Sequence, residues 1–345
     1  MVSQMQMYVG LDVHKSFTQG CILEKNGTVI LEQKFKNDPH SMDLFLLNVM
    51  KEDSKIVLES CSCWQFVYDY LNDAGYNVVL ANPLQVHLIA KSRKKTDKHD
   101  AKILADLLRT NLLPTSYAAP KDIRDERQIT RHRASLVYMG AQIKNKINAI
   151  TLRHGLEHEY SDVFGASGTE YLRSLDLPTV DRFELDQYLE LLRHIKMKVD
   201  KTQERVEDYV EHNPHARLLM TIPGISYYSA LIITAEIGDI RRFNNAKQLV
   251  SYAGLNPSVS QSGNKCYTGH IAKQGNKNLR WIITQVIHVA VQHDANLRKF
   301  FLRLKHKGTN VAITATARKL LTIIFAMLKN NSKYHVLQSK KGING

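Results

Sequence analysis

A heptad pattern in the middle of the chain constrains the fold more than any other feature. Between positions 185 and 209, residues recur at alternating intervals of three and four, and seven of the eight are apolar or aromatic. They are Leu185, Tyr188, Leu192, Ile195, Val199, Thr202, Val206 and Tyr209. This spacing aligns the side chains along one face of a helix. Residues 181–212 are therefore predicted to form one long helix that acts as a rigid spacer.

A second long helix is predicted before it, over residues 123–152. Within this stretch Ile129, Leu136, Ile143 and Ile150 are spaced seven apart. The two helices can pair with each other as a hairpin or with helices of another chain, and spacing alone does not choose the partner. We therefore predict a coiled-coil region over 121–213, and both pairing within the chain and pairing between chains are consistent with the spacing.

The positive charge of the chain is concentrated in its last third. The 345 residues include 47 Lys and Arg against 33 Asp and Glu, a net charge of +14. From Ile240 onward there are 18 basic residues and one acid, Asp294, whereas the first 239 residues carry about −3. A surface selected only for solubility mixes both signs, and an apolar helical pattern over 320–328 indicates a folded region rather than a tail. We interpret the last third as a nucleic-acid-binding region.

Length and composition limit the class of protein. At about 100 to 200 residues per domain the chain holds two or three domains; we place them at 1–120, 121–213 and 214–335, with a basic tail at 336–345 expected to be disordered. No apolar run approaches the roughly 18 to 20 residues of a membrane helix, and no signal peptide is visible. We expect a cytoplasmic protein, nucleoid-associated when acting, without a membrane partner. The four cysteines include one C-x-C pair without zinc-site spacing and are expected to be reduced thiols.

The first 120 residues alternate between strand and helix patterns. Strand patterns at 17–24 and 28–35 flank Asn26-Gly27, a strong hairpin signal. Further elements are predicted as a helix near 42–50, a strand at 55–59, a helix at 64–74 and a strand at 76–83. This order predicts a mixed α/β sheet, and it is how a ribonuclease H-like domain begins.

Four carboxylates are predicted to converge in this domain. Asp12 and Glu59 each end a predicted strand, while Asp97 and Asp100 share one face of a predicted helix's first turn. Acids placed in this way can hold two divalent ions about 3.5 to 4 Å apart, the geometry used for phosphoryl transfer. Ligation by oxygen alone favours Mg²⁺ or Mn²⁺. Taken singly, each acid fits an ordinary strand-end or helix-start role equally well.

Basic residues near these acids and in the last third are candidates for contact with phosphate groups. The predicted nucleic-acid-binding residues are Lys94, Lys95, Lys98, Arg241, Arg242, Lys265, Lys273, Lys277 and Arg280.

Two further motifs lie in the last third. Residues 221–240 begin with an Ile-Pro-Gly-Ile turn followed by a helix, which resembles half of a helix-hairpin-helix element. Residues 254–280 form a glycine-rich basic stretch in which a hydroxyl could approach a phosphodiester, with nearby cations stabilising the transition state. Ser262, before Gly263, is the best candidate there, and its rivals are Ser258, Ser260 and Thr268. As an isolated motif, a plain polar loop is the commoner explanation.

An ordered set of motifs resembles one known family. The chain resembles the DEDD transposases of a group of bacterial and archaeal insertion sequences, which are described as bridge-RNA-guided recombinases. The motifs that carry this resemblance are, in order, GLDVHK, VLES, KTDKHDAKILADLL, TIPGI, FNNAKQLVSYAGLNPS, QSGN and GHIAKQGNKNLR. The resemblance runs from about residue 7 to residue 328. It implies a RuvC-like N-terminal domain, a coiled-coil insertion and a mainly helical C-terminal domain that supplies a serine.

The resemblance also implies roles for single residues and for partners. Asp12, Glu59, Asp97 and Asp100 would bind magnesium, and Ser262 in QSGN would attack DNA and form a covalent phosphoserine link. A structured guide RNA would pair with donor and target DNA, and a homo-oligomer, dimer or tetramer, would build a composite site from different protomers. One departure is visible, because the family usually has a small-residue Thr-Gly stretch where this chain has SCSCWQ after Glu59.

Two other functions fit part of the sequence. A RuvC-like, structure-selective endonuclease would use the same acids with a metal-activated water, but it leaves the serine-bearing domain without a chemical role. A non-catalytic nucleic-acid-binding protein fits the charge but leaves the four acids unexplained. A covalent protein–DNA adduct would separate the recombinase from both.

Overall fold

The computed structural model describes residues 6–89, 97–262, 265–271 and 274–334, without the side chains of 259–262, 265–268 and 270. The chain divides into two compact units, Met1–Ala119 and Pro120–Gly345. The proposed tail, 336–345, lies outside the described residues.

A six-stranded mixed sheet forms the first unit, in the order β3-β2-β1-β4-β5-β6. Its strands are β1 (Met7–Val13), β2 (Phe17–Glu24), β3 (Val29–Lys36), β4 (Ser54–Glu59), β5 (Val78–Ala81) and β6 (Thr115–Ser116). β1 pairs antiparallel with β2 and parallel with β4. The predicted mixed α/β class is confirmed, and the arrangement is compatible with a ribonuclease H-like domain.

Four helices cover this sheet: α1 (Pro39–Phe45), α2 (Trp64–Asp73), α3 (Pro83–Ile89) and α4 (Asp97–Arg109). Helix α1 begins three residues before the start predicted at 42 and ends five residues before the end predicted at 50. Asp38 caps it by accepting a hydrogen bond from the Ser41 amide at 2.8 Å, and Pro39 fixes its first turn. The boundary was wrong because this cap and proline were not used as start signals.

The two faces of the sheet pack against different helices. Val9 and Leu11 belong to one apolar cluster with Met42 of α1 and Leu71 of α2. Because side chains alternate along a strand, the even-numbered residues of β1 face the other way, toward α4. Asp12, the last but one residue of β1, therefore lies on the α4 side.

A long helical hairpin opens the second unit. It consists of α5 (Lys121–Arg153) and α7 (Thr179–His212), with the short α6 (Ala166–Ser174) between them. Buried residues of the two long helices share one cluster: Ile143, Ile147, Ile150, Leu185, Leu189 and Ile195. His154 Nε2 lies 2.8 Å from Asp181 Oδ2, which places the end of α5 beside the start of α7. The heptad residues thus pack within the chain, while any pairing between chains and the coiled-coil geometry stay predictions.

The rest of the second unit is a helical core with one β-hairpin. Its elements are α8 (Pro214–Leu219), α9 (Tyr227–Ile237), a 3₁₀ turn (Ile240–Arg242), α10 (Ala246–Tyr252), β7 (Pro257–Ser262), β8 (Lys265–Ile271), α11 (Lys277–His293), α12 (Ala295–Lys305) and α13 (Thr309–Asn330). Nine consecutive residues of α9, from 229 to 237, are buried. This helix is the centre of the core.

The turn between α8 and α9 depends on Gly224. Its φ of +89° is disfavoured for other residues, and a Cβ there would lie 2.9 Å from the Ala290 backbone nitrogen of α11. The glycine therefore allows the turn to pack on α11. The helix-hairpin-helix interpretation, with phosphate bound at this turn, stays a prediction.

Among the described residues α13 alone is long and apolar enough to cross a membrane, with a mean hydropathy of 1.7. The sequence was expected to contain no such helix. Leu320, Leu321 and Ile324 are fully buried in the core of the second unit, and Arg318 and Lys319 lie near the middle of the helix. The apolar side of α13 is thus occupied by the protein's own core.

Candidate metal site and serine hairpin

Asp12, His14 and Asp97 form a compact group of potential metal ligands. His14 Nε2 lies 3.1 Å from Asp12 Oδ2 and 3.5 Å from Asp97 Oδ2. One ligand atom from each residue falls within 4.8 Å of the others. The donor set therefore includes a nitrogen, which differs from the oxygen-only set that the sequence predicted.

The backbone around His14 is held in place by β2 and the loop after β3. The His14 amide donates to the Phe17 carbonyl at 2.9 Å, and the Asn37 side chain donates to the His14 carbonyl at 2.6 Å. The imidazole stacks on Phe17 with ring centroids 4.5 Å apart. Backbone bonds and stacking together aim the ring at the carboxylates.

Close packing between β1 and α4 places the helix acids over the end of the strand. A Cβ on Gly10 would lie 2.0 Å from the Ala101 carbonyl oxygen and 2.7 Å from the Ala105 nitrogen. Only a glycine at this position allows α4 to lie so near the sheet. Asp97, the first residue of α4, thereby reaches the group at Asp12.

Glu59 lies at the matching position on the neighbouring strand. β1 and β4 are in parallel register through Leu11 and Leu58. The next residues along are Asp12, one residue before the end of β1, and Glu59, the last residue of β4. The preceding residues, Leu11 and Leu58, both face the apolar cluster with Met42 and Leu71. Because side chains alternate along a strand, Asp12 and Glu59 both point to the opposite face, on the α4 side. The structure thus brings Asp12, Glu59 and Asp97 to one edge of the sheet, although their roles stay predictions.

Burial and the neighbouring charged groups together shift the pKa of Asp12. Burial raises the pKa of Asp12; the nearby His14 lowers it, while the charges of Asp100 and Asp97 raise it further, and the net shift is upward. Asp100 is thus close enough to act on Asp12. A bound divalent cation would relieve the repulsion among these carboxylates.

The C-x-C pair lies directly behind this edge. The Cys61 thiol donates to the Val13 carbonyl at 3.3 Å, and the Cys63 sulfur is 3.8 Å from that of Cys61. Both thiols are free, as expected, and burial raises the pKa of Cys61. The SCSCWQ segment, where this chain differs from the family pattern, therefore contacts the last residue of β1, Val13, through its cysteine side chains.

The serine hairpin consists of β7 and β8. Ser262 is the last residue of β7, and its backbone pairs with Lys265 of β8. Its side chain lies outside the described atoms, as do those of Ser260, Lys265 and Thr268. Lys94, Lys95 and Lys273 fall wholly outside the described residues. The assignment of the nucleophile therefore stays a prediction.

The other residues predicted to contact nucleic acid divide into exposed side chains and arginines that contact other parts of the protein. Lys98 and Lys277 are exposed, and the exposed Arg241 pairs with Asp239 at 3.0 Å. Arg242 lies over the Phe243 and Tyr252 rings, and Arg280 donates to the Ala253 carbonyl at 2.9 Å. The last two arginines thus also hold the protein's own backbone and rings in place.

A buried acid ties the base of the serine hairpin to α5. Glu236, on α9, is fully buried and accepts two hydrogen bonds from Arg131 at 2.8 and 2.9 Å. Asn276 and Asn278, which follow β8, also donate to it at 2.8 and 2.9 Å. Burial alone would raise the pKa of Glu236, but these donors and the Arg131 charge outweigh burial and lower it.

Sequence reasoning did not select His14 or Glu236. His14 follows Asp12 by two residues, and side chains two apart on an extended strand share a face, so this signal was available. Glu236 is an acid within the apolar stretch LIITAEI, which signals a buried, paired charge. Its partner Arg131 is 105 residues away, and spacing could not identify it.

Comparisons with known proteins identify two family models that match this chain. A family model for the DEDD type of IS110 transposase, described as "Transposase", matches residues 9–154. A second, described as "Transposase IS116/IS110/IS902 family", matches residues 216–302. Together they match about two thirds of the chain, and their ranges include the four acids and Ser262.

Individual relatives are similar over nearly their whole length. The transposase for insertion sequence element IS1111A of Coxiella burnetii is 25% identical, over 94% of this chain and 90% of its own. The transposase for IS1328 of Yersinia enterocolitica is 22% identical, over 92% and 96%. The pilin gene-inverting protein of Moraxella bovis is 26% identical, over 95% and 97%.

Proposed function

The chain belongs to the IS116/IS110/IS902 family of transposases, and from this premise we propose that it is an RNA-guided, site-specific DNA recombinase. In this proposal it cleaves and rejoins DNA through a serine–DNA intermediate, assisted by a divalent metal at the carboxylates. The names of its relatives describe transposition of insertion sequences and inversion of a pilin gene, and both processes break and rejoin DNA. The observation that carries the chemistry is the group formed by Asp12, His14 and Asp97.

The donor set fits a divalent metal. Two carboxylates and an imidazole with ligand atoms within 4.8 Å suit Mg²⁺ or Mn²⁺, and the nitrogen donor favours Mn²⁺ over Mg²⁺. Burial raises the pKa of Asp12, and the charges of Asp100 and Asp97 raise it further; a bound cation would stabilise the ionised carboxylate against both effects. Glu59 and Asp100 complete the proposed set. When bound, the metal would stabilise negative charge on a phosphodiester.

Ser262 is the proposed nucleophile. Its Oγ forms a bond to phosphorus as the bond from phosphorus to a deoxyribose oxygen breaks. The serine hydroxyl loses one proton and the leaving oxygen gains one, so the phosphodiester count is unchanged. Rejoining is the reverse reaction with the hydroxyl of another strand. A serine hydroxyl needs activation for this attack, and cations such as Lys265 and Lys277 would stabilise the transition state.

Guidance by RNA and assembly into a dimer or tetramer come from the family resemblance. The basic last third of the chain suits an RNA partner as well as DNA. The composite site would take its acids and its serine from different protomers. Such a protein would act in the cytoplasm, on the nucleoid.

Trapping of a covalent adduct tests the proposal. The full-length protein with its guide RNA, donor DNA and target DNA is expected to form a DNA adduct in Mg²⁺ or Mn²⁺ and none with EDTA. Ser262→Ala is expected to bind nucleic acid and form no adduct, whereas the control Ser258→Ala keeps it. Peptide mass mapping of the adduct to Ser258, Ser260 or Thr268 would overturn the assignment.

A mixing experiment tests the composite site. Ser262→Ala and Asp12→Ala proteins are each expected to be inactive, and their mixture is expected to recover part of the adduct. No recovery in a mixture that still forms oligomers would show that both parts come from one protomer. Recombination without the RNA would remove guidance from the proposal.

A further inference from the structure

The surface of the C-terminal region carries no acid in its described part. Asp294, the one acid from Ile240 onward, is fully buried. It caps α12 by accepting from the Leu297 amide at 2.7 Å, and it accepts from the Tyr334 hydroxyl at 2.6 Å. No carboxylate within residues 240–334 therefore offsets the positive surface charge of this range, and Asp239, directly before it, pairs with Arg241.

Two adjoining cavities concentrate this charge along α12 and α13. One, of about 510 Å³, is lined in part by Lys299, Arg303 and Lys319. The other, of about 730 Å³, is lined in part by Lys247, Arg318 and Lys319. Phe300 and Lys319 line both cavities, so the two adjoin at these side chains, and we call them together the α12–α13 groove.

Cations in this groove are held by an aromatic ring. The Lys319 Nζ lies 4.7 Å and the Arg303 guanidinium carbon 5.1 Å from the Phe300 ring centroid. Cation–π contacts fix the two groups near each other but leave their charge uncompensated. Like charges held together repel, and a bound phosphate group would remove that repulsion. Such an arrangement is suited to an anionic ligand.

The groove also leads to the serine hairpin. Asn256 lines the larger cavity and directly precedes β7, which ends at Ser262. At about 3.3 Å per strand residue, Ser262 is at most about 20 Å from Asn256 along the strand. That is about six nucleotides of a B-form strand.

We propose that the α12–α13 groove binds the phosphate backbone of duplex DNA flanking the phosphodiester that Ser262 attacks. The identity of this occupant rests on the proposed function, since the serine's substrate is DNA, and this favours DNA over guide RNA. Lys247, Lys299, Arg303, Arg318 and Lys319 supply the contacts. None of these five was selected from the sequence.

Salt dependence of DNA binding tests the groove. The full-length triple variant Lys299→Gln, Arg303→Gln, Lys319→Gln is compared with the wild type on a mixed-sequence DNA duplex in EDTA. Because each phosphate contact contributes about 0.9 to the slope of log affinity against log salt, the slope is expected to become shallower by about 2 to 3. The matched control, Lys196→Gln, Lys198→Gln, Lys201→Gln on α7, removes the same number of positive charges, all of them exposed, whereas Lys319 of the groove is half-buried. The slope for this control is expected to change by less than about 1.

Several results would overturn the proposal. One is an equal change in the slope for both triple variants, and another is no change for the groove variant. Loss of binding to an RNA duplex with unchanged DNA binding would assign the groove to RNA instead. If the triple variant fails to fold by circular dichroism, the exposed pair Lys247→Gln, Arg318→Gln gives the same comparison, with an expected change of about 1 to 2. Because these measurements need neither metal nor Ser262, failure to trap an adduct would not affect them.

Discussion

Gly10 of β1 lies directly against Ala101 of α4, so that a Cβ on the glycine would come within 2.0 Å of the alanine carbonyl oxygen. The obstacle is helix backbone, which cannot rotate away as a flexible side chain could. This contact sets the distance between strand and helix. It thereby decides whether Asp97 reaches Asp12 and His14.

Gly10→Ala should therefore disrupt the site without changing any ligand. Overpacking of this kind costs typically about 1 to 3 kcal/mol, and α4 must shift away from β1. We expect a lower Tm and a weaker rise of Tm with added Mn²⁺ than in the wild type. Differential scanning fluorimetry with and without Mn²⁺ measures both.

Gly140→Ala is the matched control. Here the added Cβ would meet Ile195 Cγ2 at 3.5 Å and Leu192 Cδ1 at 3.8 Å, both within ordinary contact distance. Because alanine is the better helix former, we expect stability to rise by about 0.5 to 1 kcal/mol with an unchanged Mn²⁺ response. A Gly10→Ala protein with wild-type stability and Mn²⁺ response would contradict the role given to the close approach.

Asp12→Asn should stabilise the metal-free protein and abolish recombination. Since burial and the acids Asp100 and Asp97 raise the pKa of Asp12, the folded state favours its neutral form, and its charge reduces stability at neutral pH. An amide removes that charge. We expect a higher Tm in EDTA and little further increase with Mn²⁺, whereas the wild type gains stability from the metal.

His14 tests the proposed preference of the site for Mn²⁺ over Mg²⁺. His14→Gln replaces a nitrogen donor by an amide, so the response of Tm to Mn²⁺ should fall more than the response to Mg²⁺. Asp12→Asn with a Tm below that of the wild type in EDTA, or with an undiminished Mn²⁺ response, would count against the metal site.

Local signals in the sequence were sufficient for much of the fold and for part of the site. The heptad predicted a helix over 181–212, and α7 spans Thr179–His212. Asn26-Gly27 predicted the hairpin between β2 and β3. Asp12, Glu59 and Asp97 could be selected because strand ends and the first turn of a helix are visible in short windows.

Contacts between distant segments could not be predicted in this way. The Glu236 and Arg131 pair joins α9 to α5, and the α12–α13 groove combines three helices. The β-hairpin that carries Ser262 was not predicted either, because its glycines and polar residues were assigned to a loop. In each case the decisive neighbours are tertiary, and periodicity contains no information about them.

Glu236→Gln should destabilise the second unit. It removes the charge that compensates Arg131 and weakens the bonds from Asn276 and Asn278. Breaking a buried pair costs about 3 to 5 kcal/mol, and the half-exposed Arg131 places this case near 3 kcal/mol. Since the pKa of Glu236 is lowered, its contribution is present above the unfolded-state pKa and is lost as the pH falls through the folded-state value.

Chemical denaturation measures the cost of Glu236→Gln. Glu184→Gln, at a partly exposed acid 3.6 Å from Arg153, is the control and should cost less than about 1 kcal/mol. Because Asn276 adjoins the serine hairpin, adduct formation should also fall in the Glu236 variant under conditions where it is still folded. Equal costs for the two variants would show that the buried pair contributes no more than a surface pair.

Glu126→Gln should remove a pH dependence of stability. Glu126, on α5, is buried; its Oε1 accepts from Asn213 at 2.8 Å, while its Oε2 is buried with no hydrogen-bond partner among the described residues. Burial, reinforced by Asp122 and only partly offset by Asn213, raises the pKa of Glu126 above 4.5. The folded state therefore binds this proton more tightly than the unfolded state, so the wild type loses stability as the pH rises through the raised pKa.

The amide in Glu126→Gln cannot ionise, and its oxygen can still accept from Asn213. Compared with the wild type, we expect a higher Tm at pH 7, a difference that shrinks as the pH is lowered toward 4.5, the ordinary pKa of the group. Glu190→Gln, at an exposed position of α7, is the control and should leave the pH profile of Tm unchanged. The prediction is wrong if the pH profiles of Tm for Glu126→Gln and the wild type run parallel. The carboxyl of Glu126 would then ionise as easily in the folded chain as in the unfolded one, and the hydrogen bond from Asn213 would be sufficient to stabilise its charge.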